Sequence, residues 1–198
     1  TVGLLDLKIL QDKEKSSSFF DDLRNRKFKL LYLLGSDNLE FQKNDEFIVY
    51  QGSHGDRGAE IADLILPSAT YTEQNGLYEN LEGRIQECKK ASYPIGEALE
   101  DWKIFNRIIK KLGSKDKTSN FDELRKEVLE TIPNFSEIND LPRKSKIKSN
   151  NVETSFFSEK IFVRELDYYY TNSISRSSKT MSECRQIRQK IKKDGTNN

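Results

Sequence analysis

The chain of 198 residues carries 33 basic and 32 acidic side chains, a net charge of +1, with a hydrophobic share of 35%. That length suits one domain or two small ones, the balanced charge removes any overall field for nucleic acid or an anionic membrane, and the low apolar share assigns part of the chain to tail or partner-contacting surface. Cys88 and Cys184 stand alone, with no CxxC and no His close in sequence, which excludes a self-contained zinc or iron–sulfur site and a disulfide framework and fits a reducing compartment.

The longest unbroken apolar run, Leu30 to Leu34, is far shorter than the roughly 18 residues of a membrane helix. Met181 is the only methionine. The expectation is that residue 1 is not a translation start: either an N-terminal segment has been removed, or the sequence begins partway through a longer product.

In chain order, SSSFFDDLRNRK opens with Ser18 as a helix N-cap and two acidic residues in the first turn, which suit the positive end of a helix dipole. KLLYLLG, FIVYQG and ADLILP then give three short continuous apolar runs, the pattern of strands covered on both faces. Connections of about a dozen residues make a parallel α/β sheet the predicted arrangement. TYTEQNGLYENLEGRIQECKK reads as an irregular β excursion, with a tight hairpin turn at Asn75-Gly76 and a second turn at Glu82-Gly83. ALEDWKIFNRIIKKLG is a helix with Trp102, Phe105, Ile109 and Leu112 on one stripe and Gly113 as its cap. NFDELRKEVLETIP is a second amphipathic helix through Phe121, Leu124, Val128 and Ile132, stopped at Pro133. Residues 136–160 are expected to be a polar basic loop, IFVREL an edge strand, and SKTMSECRQIRQKIKKDG a short helix with a cationic end. The domain expectation is therefore 1–135, 136–160 and 161–198.

YQGSHGDRGA, residues 50–59, lies between two strand-like runs. Backbone N–H groups in a glycine-containing turn can cradle phosphate. Against that, the stretch lacks the spacing of GxGxxG or GxxxxGK[ST], and Asp56 would repel an anion. The alternative is a tight strand-to-helix turn held by an Asp56–Arg57 pair.

The segment GSHGDRGAEIADLILPSATYTEQNGLYENLEGRIQ resembles the molybdopterin-oxidoreductase superfamily. It carries a strand, a turn and an ADxxLP strand, then an E-x-x-G-x-x-x-N-x-E-G-R excursion at Glu73, Gly76, Asn80, Glu82, Gly83 and Arg84. The HGDRGA turn, with Gly52, His54, Asp56 and Arg57, is similar to that of one branch, the large iron–sulfur (G) subunits of the NADH-quinone oxidoreductases, or complex I. The resemblance runs on through both amphipathic helices to DYYYTNSISRSSKTMSEC and covers most of residues 28–184.

The resemblance implies an α/β fold that is part of a Rossmann-like parallel sheet, incomplete without a partner chain. It implies a structural role in the peripheral arm of complex I, with no cofactor on this chain. Iron–sulfur clusters are expected on the N-terminal part of the large iron–sulfur subunit or on a partner chain. The other complex I subunits are the expected partners, with no nucleic acid and no direct membrane span, on the matrix side of the mitochondrial inner membrane or the cytoplasmic face of a bacterial one. Few alanines and many Lys, Asn and Ile suit an AT-rich genome such as that of a protist mitochondrion.

Single residues also have competing readings. His54 is a proton-transfer group or, as favoured, a structural hydrogen-bonding residue. Glu73 and Glu82 form a carboxylate pair only if the excursion brings them together, and Glu82 is better suited to hold Arg84 or backbone N–H groups. The basic stretch Arg143 to Lys148 has no interleaved aromatics and reads as a solvated loop rather than an RNA or headgroup site. DYYY at 167–170 is an interface anchor or a core strand end. Two other functions compete with the structural role: a piece of an active molybdopterin enzyme of the formate dehydrogenase kind, and an independent nucleotide-binding module.

Overall fold

The computed structural model describes residues 2–9, 19–36, 41–114, 118–132, 138–140 and 167–195. It divides the chain into two compact units, Thr1–Pro142 and Arg143–Asn198.

The first unit opens with a short helix, α1 (Val2–Asp6), and then α2 (Phe19–Arg24), whose Asp21 and Asp22 lie in the first turn. Ser18 lies outside the described residues. Three strands follow, β1 (Leu30–Leu34), β2 (Phe47–Gly52) and β3 (Leu64–Pro67), with a one-turn helix α3 (Arg57–Glu60) between the last two. They form a parallel sheet in the order β1-β2-β3. Leu31, Leu33, Ile48 and Tyr50 pack with Leu23 of α2 into the core, joined by Phe28, Phe41, Ala59, Ile61 and Ala62. Gathering these side chains removes apolar surface from water, which is the main drive for the sheet to form.

The three strands expected for the parallel sheet are present, but only the central one is buried on both faces. β2 is closed over from Ile48 to Gln51. β1 buries Leu31 and Leu33 and exposes Leu30 and Leu34, and β3 is largely exposed. A continuous apolar run records the surroundings that a strand is built for, which for β1 and β3 are not all supplied by the described residues.

The β excursion is an antiparallel hairpin, β4 (Gly76–Glu79) with β5 (Ile85–Cys88). Its turn is not at Asn75-Gly76. Gly76 is the first residue of β4, opposite Cys88, and the chain reverses at Asn80–Gly83, where Gly83 has φ 80°. Gly76 serves a different need, because a Cβ there would come within 3.0 Å of the Tyr78 ring.

After the hairpin come α4 (Asp101–Lys111) and α5 (Phe121–Thr131). Gly113, at φ 83°, ends the first as expected. The covered face of α4 is turned from the predicted stripe: Ile104 is buried and Asp101, Phe105 and Ile108 are half-buried, while Ile109 and Leu112 are exposed. Helix α5 keeps its predicted stripe half-buried and starts at Asn120, whose side chain accepts from the Glu123 N–H.

In the second unit, α6 (Ser173–Ser177) begins with an Asn172 capping box. The terminal helix α7 (Lys179–Gly195) runs for 17 residues and takes up the stretch SKTMSECRQIRQKIKKDG where a helix is expected. IFVREL, the stretch Arg143 to Lys148 and Pro133 lie outside the described residues. Among the described residues, no helix is long and apolar enough to cross a membrane.

Candidate functional site

The turn that follows β2 is shaped by Tyr50. Its ring lies beneath Gly58, where a Cβ would approach the ring at 3.1 Å and the Ser36 carbonyl oxygen at 2.7 Å. Gly52 likewise has no room for a side chain beside that ring. The Tyr50 hydroxyl donates to the His54 carbonyl oxygen at 2.6 Å, tying the turn to the strand that enters it. These glycines therefore admit a tyrosine, a close-approach role for a residue without Cβ.

The remaining residues of the turn also serve local structure. The Asp56 carboxylate accepts from the Arg57 backbone N–H at 2.9 Å and caps α3, the usual use of Asp at the amino end of a helix. His54 Nδ1 lies 2.9 Å from the Ser53 hydroxyl. The place where a phosphate-bearing cofactor would meet helix N–H groups thus holds a carboxylate, and the space beside the glycines holds a phenol ring.

Next to it, at the carboxyl ends of the strands where α/β sheets bind ligands, lies a polar network absent from any sequence motif. Gln51 is 0% exposed. Its amide oxygen accepts from the Tyr32 hydroxyl, and its Nε2 donates to Asp101 Oδ1 at 2.6 Å. Gln74 closes the other side, donating to Asp101 Oδ2 at 2.9 Å and accepting from the Asp101 N–H at 3.0 Å. Burial, with the Asp101 carboxylate adding to it, pushes the Tyr32 phenol above its ordinary pKa.

Glu100, 4% exposed, is a second hub. It accepts from Trp102 Nε1 at 2.7 Å, Lys90 Nζ at 3.0 Å and Lys103 Nζ at 3.2 Å. Burial alone raises its pKa, but hydrogen bonds from Trp102, Lys90 and Lys103 outweigh this and hold it below the ordinary glutamate value. In the first network, distance in sequence hides the partners: Gln51 and Asp101 are 50 positions apart.

The excursion residues do not converge on a catalytic pair. Glu73 accepts from the Thr70 N–H at 3.2 Å and holds its own turn. Glu82 is exposed at the hairpin tip. It does not organise that tip, contrary to the expectation: Asn80 Oδ1 accepts from the N–H groups of Glu82 at 3.0 Å and Arg84 at 2.9 Å. A short amide side chain reaches these groups within a four-residue turn, as in other Asx turns. Among the described residues, buried Arg84 Nε and Glu79 Oε2 have no hydrogen-bond partner. Burial, reinforced by Asp6, raises the Glu79 pKa.

In the second unit, DYYY is a turn rather than a strand end, and Tyr168 is 76% exposed. Arg185 lies 4.5 Å over the Tyr170 ring, and Asp167 pairs with Arg185. Cys88 and Cys184 are free thiols in different units. Among the described residues, no group of three or more His, Cys, Asp or Glu side chains is placed to hold a metal ion.

The family model for molybdopterin oxidoreductase matches residues 2–111, and that for the C-terminal region of the G subunit of NADH-ubiquinone oxidoreductase matches residues 136–184. The chain is 37% identical over 190 residues to the NADH-ubiquinone oxidoreductase 75 kDa subunit of Reclinomonas americana, covering 94% of this chain and 27% of that one. It is 41% identical over 168 residues to the NADH-quinone oxidoreductase G subunit of Rickettsia bellii, covering 84% and 24% respectively. With the corresponding protein of Rickettsia typhi it shares 42% over 173 residues, covering 84% and 25%. The chain thus spans about a quarter of the length of the curated relatives it matches. A parallel sheet, the turn after its central strand, the hairpin that follows and these matches agree: the chain belongs to the molybdopterin oxidoreductase family, in the branch formed by the G subunits of NADH-quinone oxidoreductases.

Proposed function

We propose that this chain is a structural part of the large iron–sulfur subunit in the peripheral arm of respiratory NADH:ubiquinone oxidoreductase, supporting electron transfer from NADH to ubiquinone without holding a redox centre itself. The observation that carries this reading is the filled turn after β2, where the Tyr50 ring lies against Gly58 and the Asp56 carboxylate caps α3. The adjacent polar groups, Gln51, Gln74 and Asp101, use their hydrogen bonds on one another. Such a set stiffens a scaffold and offers little to an incoming ligand.

On this reading its partners are other complex I subunits, above all the polypeptide segment that carries the iron–sulfur clusters of the large subunit. The assembly sits on the matrix side of the mitochondrial inner membrane, or on the corresponding cytoplasmic face in a bacterium. The test is native electrophoresis with mass spectrometry of the band stained for NADH dehydrogenase activity. The chain is expected in that band, and His54→Ala is expected to leave turnover of the complex unchanged. Absence from every active band, or stoichiometric molybdenum or tungsten in the purified assembly, overturns the proposal.

A further inference from the structure

In the second unit the tyrosine-rich turn and the terminal helix enclose a cleft of about 220 Å³, lined chiefly by Asp167, Tyr168, Tyr169, Arg185, Arg188 and Lys192. The turn is fastened from within: the Tyr169 N–H donates to Asp167 Oδ1 at 3.2 Å, and the Tyr170 N–H to the Asp167 carbonyl oxygen at 3.2 Å. Arg185 donates to Asp167 Oδ2, and this hydrogen bond holds the Asp167 carboxyl below its ordinary pKa. The carboxylate is therefore ionised and already engaged by its neighbour.

Charge in the cleft is unbalanced, because three cations line it against that one carboxylate. Among the described residues Arg188 has no carboxylate partner, and its guanidinium lies 5.9 Å from the Tyr169 ring. A guanidinium held over a ring keeps its N–H edge, the edge that forks onto a carboxylate. Beside the cleft the same helix carries apolar side chains in water. Ile187 is 59% exposed and Ile191, one turn further on, 65%, and the exposed Tyr168 stands on the rim.

We propose that this face docks an acidic segment of another protein, whose carboxylates enter the cleft beside Arg188 and Lys192 while an adjoining apolar residue covers Ile187 and Ile191. The inference goes beyond the role proposed above, which assigns the terminal helix no partner. The three cations and both isoleucines lie past residue 184, where the C-terminal family region ends, so the occupant is placed outside the large iron–sulfur subunit. Charge selects its chemistry: an excess of cations with exposed Tyr and Arg anchors complements a carboxylate-bearing surface. A membrane surface suits this face less, because α7 presents a narrow apolar stripe with no Trp or Phe. Nucleic acid also suits it less: Tyr169 and Tyr170 already lie against Arg188 and Arg185, and phosphates give the isoleucines no apolar cover.

The experiment uses the purified native assembly that holds the chain, with a photo-crosslinking side chain in place of Tyr168 or of Ile187 and mass spectrometry of the crosslinked peptides. Both positions are expected to mark one stretch of a different protein, rich in Asp and Glu. Crosslinks to lipid, to nucleic acid, to this chain, to the remainder of the large iron–sulfur subunit or to a stretch without carboxylates overturn the proposal, as does the absence of any crosslink. Charge reversal then tests the chemistry. Arg188→Glu combined with Lys192→Glu is expected to lower the crosslink yield by about tenfold or more. Lys179→Glu, which changes charge at the start of α7 and suits the helix dipole there, should leave the yield unchanged. Equal yields from these variants overturn the proposal. Absence of the chain from the band active for NADH dehydrogenase would count against the role alone, because the crosslinks are read in any assembly that holds it.

Discussion

Gln51, fully enclosed at the end of the central strand, donates to the Asp101 carboxylate at 2.6 Å and so joins β2 to the first turn of α4. The same amide accepts from Tyr32 on β1, so one side chain ties together two strands and a helix. Replacing it with leucine keeps much of the volume but leaves one half-buried acceptor, Asp101 Oδ1, and one half-buried donor, the Tyr32 hydroxyl, without their partner. Gln51→Leu is expected to lower local stability by about 1–3 kcal/mol, seen as faster amide exchange at Leu33 and Val49 in the assembled complex.

The turn after β2 gives a paired test. Gly58→Ala places a methyl group 2.7 Å from the Ser36 carbonyl oxygen, and backbone cannot move aside cheaply. The expected cost is about 1–3 kcal/mol. At Gly55 the added methyl meets only the Ala59 Cβ at 3.9 Å, so Gly55→Ala should change little. Equal losses for the two variants in denaturant unfolding would refute the close-packing account of Tyr50.

Glu100 sets an acid limit. Its folded-state pKa is below the ordinary value of 4.5, so the carboxylate contributes stability that is fully present above that value and lost as pH falls through the lowered one. Glu100→Gln removes the titration. Stability of the variant measured against pH should lack that part of the acid limb below about 4.5, while the unsubstituted chain keeps it.

The hairpin tip discriminates between its two polar residues. Asn80→Ala removes the acceptor shared by the Glu82 and Arg84 amides and should cost about 1 kcal/mol. Glu82→Ala changes an exposed side chain and should stay within about 0.5 kcal/mol. Amide exchange at Arg84 separates them: it quickens in the first variant and not in the second.

Much of the fold was legible because strand and helix signals are local. Three apolar runs ended by Gly or Pro gave β1, β2 and β3, and Gly113 marked the end of α4. The errors arose where one residue type meets two physical demands. Asn75-Gly76 has the composition of a hairpin turn, yet Gly76 makes space for Tyr78 in a strand. On α4, choosing Ile109 and Leu112 over Ile104 and Ile108 followed apolar spacing alone. The helix instead turns Asp101 inward to Gln51 and Gln74, which shifts its buried face. Gln51 escaped notice because a lone Gln carries no signal until tertiary structure supplies its partners, whereas the partners of Glu100 lie within ten positions of it and form no recognised motif.

The short connections between consecutive strands have a kinetic consequence. About a dozen residues separate β1 from β2 and β2 from β3, so the sheet has low contact order and its loops close at small entropic cost. During synthesis these strands can associate before α4 has left the ribosome, and the reach from Gln51 to Asp101 comes later as a latch on a sheet already formed.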